Sequence, residues 1–214
     1  MTLFRDRTEA GRLLVRELGE LKGKDVVVLA IPRGGAVVAS EVAHALKAPL
    51  DLIIPRKVGA PGNPELAIGA VTQDGAAIVD KEMTRMLGVS EKYLKEEVGR
   101  QVEEVGRRMK KYRGDRTYPR LKDKVVVIVD DGVATGYTMR AAIQSVRKQG
   151  PASVWVAVPV GPPESIEELS READKVVCLR KPEPFFAIGQ FYEMFEQVED
   201  EELIQILQQF PVSS

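Results

Sequence analysis

Residues 125–138 read Val125-Val126-Val127-Ile128-Val129-Asp130-Asp131-Gly132-Val133-Ala134-Thr135-Gly136-Tyr137-Thr138. Five consecutive β-branched residues, apolar on both faces, describe a buried parallel strand. Two adjacent carboxylates close the run, a loop of small residues follows, and a helical pattern begins at Met139. In open α/β sheets, ligands sit beyond the carboxyl ends of strands, where these aspartates fall. The loop presents backbone N–H groups and the positive end of a helix to an anion, and Thr135 and Thr138 add hydroxyl donors. One segment therefore joins a phosphate cradle to two acceptor-only side chains, which suits a sugar phosphate whose hydroxyls must be fixed. A P-loop is excluded because it requires Lys directly after its last glycine, and Tyr137 stands there.

The chain on either side repeats the alternation. Residues 6–21 form an amphipathic helical pattern with Asp6 and Glu9 at capping-box spacing. A strand is expected from Val26 to Ile31, then a turn at Pro32-Arg33-Gly34-Gly35, a helix from Ala36 to about Leu46, and a strand from Leu50 to Ile54. Residues 55–66, rich in Pro and Gly, read as a loop. Short strands near Ala67–Thr72 and Ala76–Val79 read as a hairpin closed at Asp74-Gly75. A long charged helix covers Ser90 to Tyr112, with an apolar stripe at Leu94, Val98, Val102, Val105, Met109 and Tyr112. That stripe serves equally well for packing on the chain itself or for pairing two subunits. Strands near Val154–Val158 and Lys175–Leu179 bracket a helix over 164–172, and the tail from Pro182 is first aromatic, then helical. The expectation is an α/β fold with a doubly wound, mainly parallel sheet and helices on both faces. Residues 1–214 are expected to make one domain, with a core over about 24–180 and a small C-terminal hood over about 181–214 that the helix 6–21 can join.

With 214 residues and 44% hydrophobic content the chain supports a sizeable core, and its net charge of -1 gives no general attraction to nucleic acid. The lone Cys178 lies in an apolar run and is expected to be inert and buried. No intrachain disulfide can form from one cysteine, no apolar run approaches a membrane span, and a cytoplasmic setting is expected. The single histidine, His44, rules out a multi-histidine zinc site and falls within a helical pattern.

Three further segments carry chemistry. Arg33-Gly34-Gly35 again places glycines between a strand and a helix, where backbone can approach a ligand and Arg33 can fork onto a phosphate. Arg56-Lys57-Val58-Gly59-Ala60-Pro61-Gly62 offers two cations after a strand. The segment Pro184–Phe195 holds five of the twelve aromatic residues, and Glu193 there is an acceptor for ring N–H or amino groups.

Residues 125–138 resemble the phosphoribosyl-pyrophosphate (PRPP) signature of the type I phosphoribosyltransferases: a strand, two acidic residues, then Thr/Ser-Gly and a closing Thr or Ser. The Arg-Gly-Gly turn is similar to the family's first loop, which often contains a cis non-proline peptide. The 56–62 segment resembles the Arg-Lys and Pro-Gly pairing of the adenine and orotate branches, and Phe186, Gly189 and Glu193 resemble the hood of the hypoxanthine-guanine enzymes. In the 6-oxopurine branch an aspartate precedes the Thr-Gly, whereas Ala134 stands here, as in the adenine and pyrimidine branches. The resemblance implies transfer of a 5-phosphoribosyl group from PRPP to a nitrogenous base or other nitrogen nucleophile, with release of pyrophosphate, as in nucleotide salvage. It implies that Asp130 and Asp131 bind the ribose hydroxyls, directly or through Mg2+, and stabilise positive charge at the anomeric carbon, with Lys57 as a further catalytic cation. Ala134, Thr135, Gly136, Tyr137 and Thr138 would anchor the 5′-phosphate. Arg33, Gly34, Gly35 and Arg56 would hold pyrophosphate, and Phe186, Tyr192 and Glu193 would meet the acceptor. The implied partners are PRPP, a small-molecule acceptor and a second copy in a homodimer, with no membrane. The alternative is a PRPP-binding regulator with little transferase activity that contacts nucleic acid through Arg107 to Lys124, where nine Lys/Arg face two Asp. The alternating Glu96, Glu97, Glu103 and Glu104 upstream argue instead for a solvated helix face.

Overall fold

The computed structural model describes residues 3–210 apart from positions 73 and 76. In chain order the elements are α1 (Arg7–Glu17), β1 (Val26–Ala30), α2 (Gly34–Leu46), β2 (Leu50–Leu52), β3 (Arg56–Ala60), β4 (Asn63–Val71) and β5 (Ala77–Val79). There follow α3 (Lys81–Met86), α4 (Glu91–Arg113), β6 (Val125–Val129), α5 (Tyr137–Arg147), β7 (Ser153–Val160), α6 (Pro163–Glu172), β8 (Lys175–Arg180) and α7 (Asp200–Gln208).

Five strands form a parallel sheet in the order β2-β1-β6-β7-β8. Alternate residues of each strand serve opposite faces. Val28, Ala30, Val127 and Val129 pack with Leu14, Val42, Tyr112 and Leu203 on one side. Val27, Leu29, Val126 and Ile128 pack with Met139, Ile143, Ile166 and Leu169 on the other. Fully burying each such side chain contributes roughly 1.5–3 kcal/mol, so neither layer of helices can leave without exposing half the core. The chain passes from β1 to β2 on one side and from β6 to β7 and β8 on the other. Ala30 pairs with Val129, so the ends of β1 and β6 are level, and the switch in winding direction opens a crevice between them.

The antiparallel sheet β3-β4-β5 stands beside this core and corrects the expected loop over 55–66. Pro61-Gly62, with Gly62 at φ 75°, is a tight turn between β3 and β4 rather than the centre of a long loop. The pairing shifts register at Gly59, where a Cβ would lie 2.7 Å from Pro64 Cα. Pro64 is tolerated because, among the described residues, β5 pairs with residues 69–71 of β4 and leaves that edge beside Pro64 open. The β4–β5 hairpin forms with Gly75 at φ 73°, while its expected start at Ala76 lies outside the described residues. Helix α3, capped by Asp80 accepting from Met83 N at 2.8 Å, was not anticipated.

Helix α4 starts at the Ser90 cap and ends at Gly114. Its stripe is used within the chain. Leu94, Val98 and Val102 pack on Val58, Ile68 and Val71 of the antiparallel sheet, and Val105, Met109 and Tyr112 pack on the main core. Its last turn is fastened by Arg113, which donates to both oxygens of the fully buried Asp51 at 2.5 and 2.8 Å. His44 is exposed on α2, with Nδ1 2.9 Å from Ser40 O. Cys178 is half-buried rather than enclosed, its thiol donating to Arg180 O, and burial pushes its pKa up to about 11. Among the described residues no helix is long and apolar enough to cross a membrane.

Candidate active site

The crevice between β1 and β6 receives the two aspartates. Asp131 N donates to Asp130 Oδ1 at 2.8 Å, which turns the first carboxylate back over the second residue's backbone. Desolvation first, and the Asp131 carboxylate second, push the Asp130 carboxyl well above its ordinary range. Beyond them the loop is held at its shoulders and open at its crest. Val133 N donates to Val160 O at 2.9 Å, Ser165 Oγ donates to Ala134 O at 2.6 Å, and Ile188 lies against Gly132. Ala134 and Thr135 are exposed, Thr138 is half-buried, and Gly136 starts α5 at φ 76° with no side-chain cap. An uncapped helix start beside exposed loop backbone suits an anion. The Tyr137 hydroxyl donates to Asp80 Oδ2 at 2.7 Å, which ties α5 to the antiparallel sheet; burial and that contact push its pKa up to about 12.

The Arg33-Gly34-Gly35 turn enters the same crevice, and the Pro32–Arg33 peptide is cis. A Cβ on Gly34 would overlap Asp131 Oδ2, and one on Gly35 would sit 2.9 Å from Asp130 Cα. The two glycines are therefore required by the approach of this turn to both aspartates. Arg33 itself points away, with its guanidinium 3.3 Å from Asp200 Oδ1 at the start of α7.

The other cations are divided. Arg56 Nε donates to Gln101 Oε1 at 2.8 Å, and Gln101 donates to the buried Glu97. Desolvation, then repulsion from Arg108, lowers the Arg56 pKa. Lys57, one residue along β3, takes the opposite face and is exposed.

The aromatic tail is not gathered around one ligand. Phe186 is 82% exposed and Glu193 is exposed. Tyr192 is only 5% exposed, its hydroxyl donates to Asp131 O at 2.6 Å, and its ring lies 5.3 Å from Phe4 and 5.0 Å from Phe195. In this arrangement it supports the second aspartate from below and offers no stacking face. The tail forms a clasp with the N-terminal segment: Phe4 N donates to Phe191 O, Glu193 N to Phe4 O and Met194 N to Arg5 O at 2.8–2.9 Å.

One residue absent from the expectations sits at the centre of this assembly. Arg7 Nε donates to Asp131 Oδ2 at 2.7 Å, its Nη1 donates to Glu196 O at 2.7 Å, and its guanidinium lies 3.9 Å from the Phe195 ring centroid. A signal for it exists in the sequence, since Arg7 shares helical spacing with the buried Ala10, Gly11 and Leu14. A charge on a buried stripe requires a buried partner. Arg7 also lines a cavity of about 240 Å³ between the start of α1, Val37 of α2 and the 194–202 segment.

The basic stretch 107–124 is largely committed within the chain. Arg107 and Arg108 meet Glu104, Lys111 meets Asp200, Arg113 meets Asp51, Lys124 meets Asp25, and Arg116 donates to the carbonyls of Leu207 and Phe210.

Comparison with known proteins places these features in context. A phosphoribosyl transferase domain model matches residues 7–194. Proteins from two strains of Mycobacterium tuberculosis, each provisionally named a phosphoribosyl transferase, are 44% identical over 207 residues. The match covers 97% of this chain and 47% of theirs, so the chain spans about half the length of these curated relatives. The crystal structure of TT1426 from Thermus thermophilus is 44% identical with a TM-score of 0.84, covering 99% of this chain and 100% of that one. A hypothetical protein from Neisseria gonorrhoeae, crystallised with bound ppGpp, shares the fold at a TM-score of 0.51 and 14% identity, over 97% of this chain and 96% of its own.

Proposed function

The chain belongs to the phosphoribosyl transferase domain family, and from that membership we propose that it moves a 5-phosphoribosyl group from PRPP to a nitrogenous base or other nitrogen nucleophile, releasing pyrophosphate. The observation that carries the reading is the meeting, at the switch point of the sheet, of Asp130 and Asp131 with the uncapped start of α5 and the Gly34-Gly35 backbone.

Each part has a role in that reaction. Backbone N–H groups of 134–138 anchor the 5′-phosphate, and this binding remote from the reacting carbon positions it. Asp130 and Asp131 accept hydrogen bonds from the ribose hydroxyls, and the negative charge of Asp131, joined by that of Asp130 once a cation beside it offsets its desolvation, stabilises an oxocarbenium-like transition state. Arg33, Arg56 and Lys57 are the cations available to departing pyrophosphate. To reach it, Arg33 must leave Asp200 and Arg56 must leave Gln101, so ligand binding exchanges internal partners for phosphate oxygens. Phe186 and Glu193, both exposed, remain the proposed acceptor contacts, while Tyr192 supports Asp131.

Two adjacent carboxylates, with no cluster of three or more metal-binding side chains among the described residues, fit Mg2+, which takes one or two carboxylates together with substrate phosphates. Bound by Asp130 and Asp131, it would supply positive charge against the pyrophosphate. The commitment of most of the 107–124 cations to internal partners weighs against a nucleic-acid-binding regulator. The homodimer in this proposal needs a face other than the α4 stripe; Leu66, Met86 and Leu87, exposed around β4 and α3, supply one.

The test is pyrophosphate release from PRPP and Mg2+ across a panel of purine and pyrimidine bases, with wild type and Asp130→Asn. Release with at least one base, falling about 100-fold or more in the variant, is expected on the scale of losing one transition-state charge partner. Equal rates in the two proteins, or no release with any base, would overturn the reading. The variant should fold at least as well as wild type. The folded pKa of Asp130 lies above its unfolded value, so its ionisation opposes folding, and stability falls as pH rises from the unfolded value towards the folded one. Asparagine removes that loss, and the melting temperature at pH 8 should hold or rise.

A further inference from the structure

We infer that Arg7, outside the signature segment, is a positioning residue for the sugar, fixing the Asp131 side chain so that one oxygen is held and the other is presented to a ribose hydroxyl. The inference rests on the PRPP reading above.

The backbone of Asp131 is already fixed without Arg7. Its N–H donates to Asp130 Oδ1, and its carbonyl accepts from the Tyr192 hydroxyl. What those bonds leave undetermined is the side-chain torsion, and the Arg7 contact acts there, using Oδ2 alone. The guanidinium is itself held in three ways, by Asp131, by the Glu196 carbonyl and by the face of Phe195, with 11% of its side chain exposed. A planar fork clamped at three points cannot swing aside as a lysine can. Gly34 completes the device, because its missing Cβ leaves the space in which Arg7 and Asp131 meet. Three distant segments therefore converge on one carboxylate oxygen. A pin serving only to hold the clasp would have no need of a ligand-facing acid, since Glu196 O and Phe195 already tie Arg7 to the tail. Holding the acceptor oxygen in its binding geometry before the ligand arrives raises affinity by removing an ordering cost.

The experiment is calorimetric titration, in Mg2+, of PRPP and separately of inorganic pyrophosphate, which has no ribose. The proteins are wild type, Arg7→Met, Arg7→Lys and Arg12→Met; Arg12 lies on the same helix and pairs at the surface with Glu41. Arg7→Met should weaken PRPP at least tenfold and pyrophosphate, which would meet Asp131 through Mg2+ alone, by a factor of about three or less. Arg7→Lys should recover part of the loss, and Arg12→Met should change neither. A purely structural role would lower both ligands together, and that outcome, or undiminished PRPP binding in Arg7→Met, overturns the inference. Should Arg7→Met fail to fold, the ratio of the two affinities in Arg7→Lys decides in the same way. If wild type binds no PRPP, the proposed function and this inference fall together; if wild type binds and only the variants disagree, the inference alone falls.

Discussion

Asp130 and Asp131 stand side by side in sequence but live in different environments. One is desolvated and held towards its neutral form, and the other is paired with Arg7. A pair of like charges tolerates burial more easily when one carries a cation, and such asymmetry allows two identical side chains to take separate tasks. Gly34 is the residue on which this arrangement turns. In Gly34→Ala the new methyl would overlap Asp131 Oδ2 and lie 2.7 Å from Arg7 Nε. Overpacking of this kind costs about 1–3 kcal/mol. The expected result is a lowered melting temperature together with loss of calorimetric PRPP binding, whereas a variant binding as wild type does would show that the contact is dispensable. The aspartates were legible in the sequence because strand, acids and loop are consecutive, so local pattern and chemistry coincide. Arg7 and Asp200 were not, because their partners lie 124 and 167 residues away and no spacing rule reaches that far.

Among the elements, α7 gathers side chains from α4 and the glycine turn onto one carboxylate. Its first residue, Asp200, accepts from Lys111 and Tyr112 of α4 and from Arg33 of the glycine turn. The Lys111 contact first, then the Tyr112 hydroxyl, lower the Asp200 pKa to about 2, against about 3.9 in an unfolded chain. A depressed acid contributes stability that is present above the unfolded value and lost as pH falls through the folded one. Melting curves should therefore show wild type losing stability between about pH 4 and pH 2. Asp200→Asn should melt lower at pH 7 and lose less over that acid range; parallel curves would remove Asp200 as an anchor. The element scale is also where composition misled. Proline and glycine over 55–66 ordinarily punctuate loops, but here they shape a tight turn and a bulge in a sheet that pairs along one side. The α4 stripe was legible as a stripe, while its division between two cores depends on where the antiparallel sheet stands.

For the whole molecule, the doubly wound order followed from alternation of strand and helix, because parallel strands joined by helices admit few arrangements. Assembly is the property that least follows from it. With the α4 stripe consumed internally, the proposed homodimer should use the exposed Leu66 and Met86. Light scattering on a size-exclusion column should give twice the chain mass for wild type and the single-chain mass for Leu66→Glu combined with Met86→Lys. A dimer surviving in that variant would assign assembly to another surface.

The clasp between Phe4 and Tyr192 also sets an order in time. Arg7 reaches a carbonyl 189 residues further along the chain, and closing so long a loop costs on the order of 4–5 kcal/mol in chain entropy. On the ribosome the sheet strands β1, β2 and β6 can meet while the tail is still unmade, but Phe4 has nothing to pair with until Phe191 has emerged. A growing chain can therefore hold a nearly finished sheet whose second aspartate is not yet braced from the tail, and the proposed binding site is complete only once the clasp has formed.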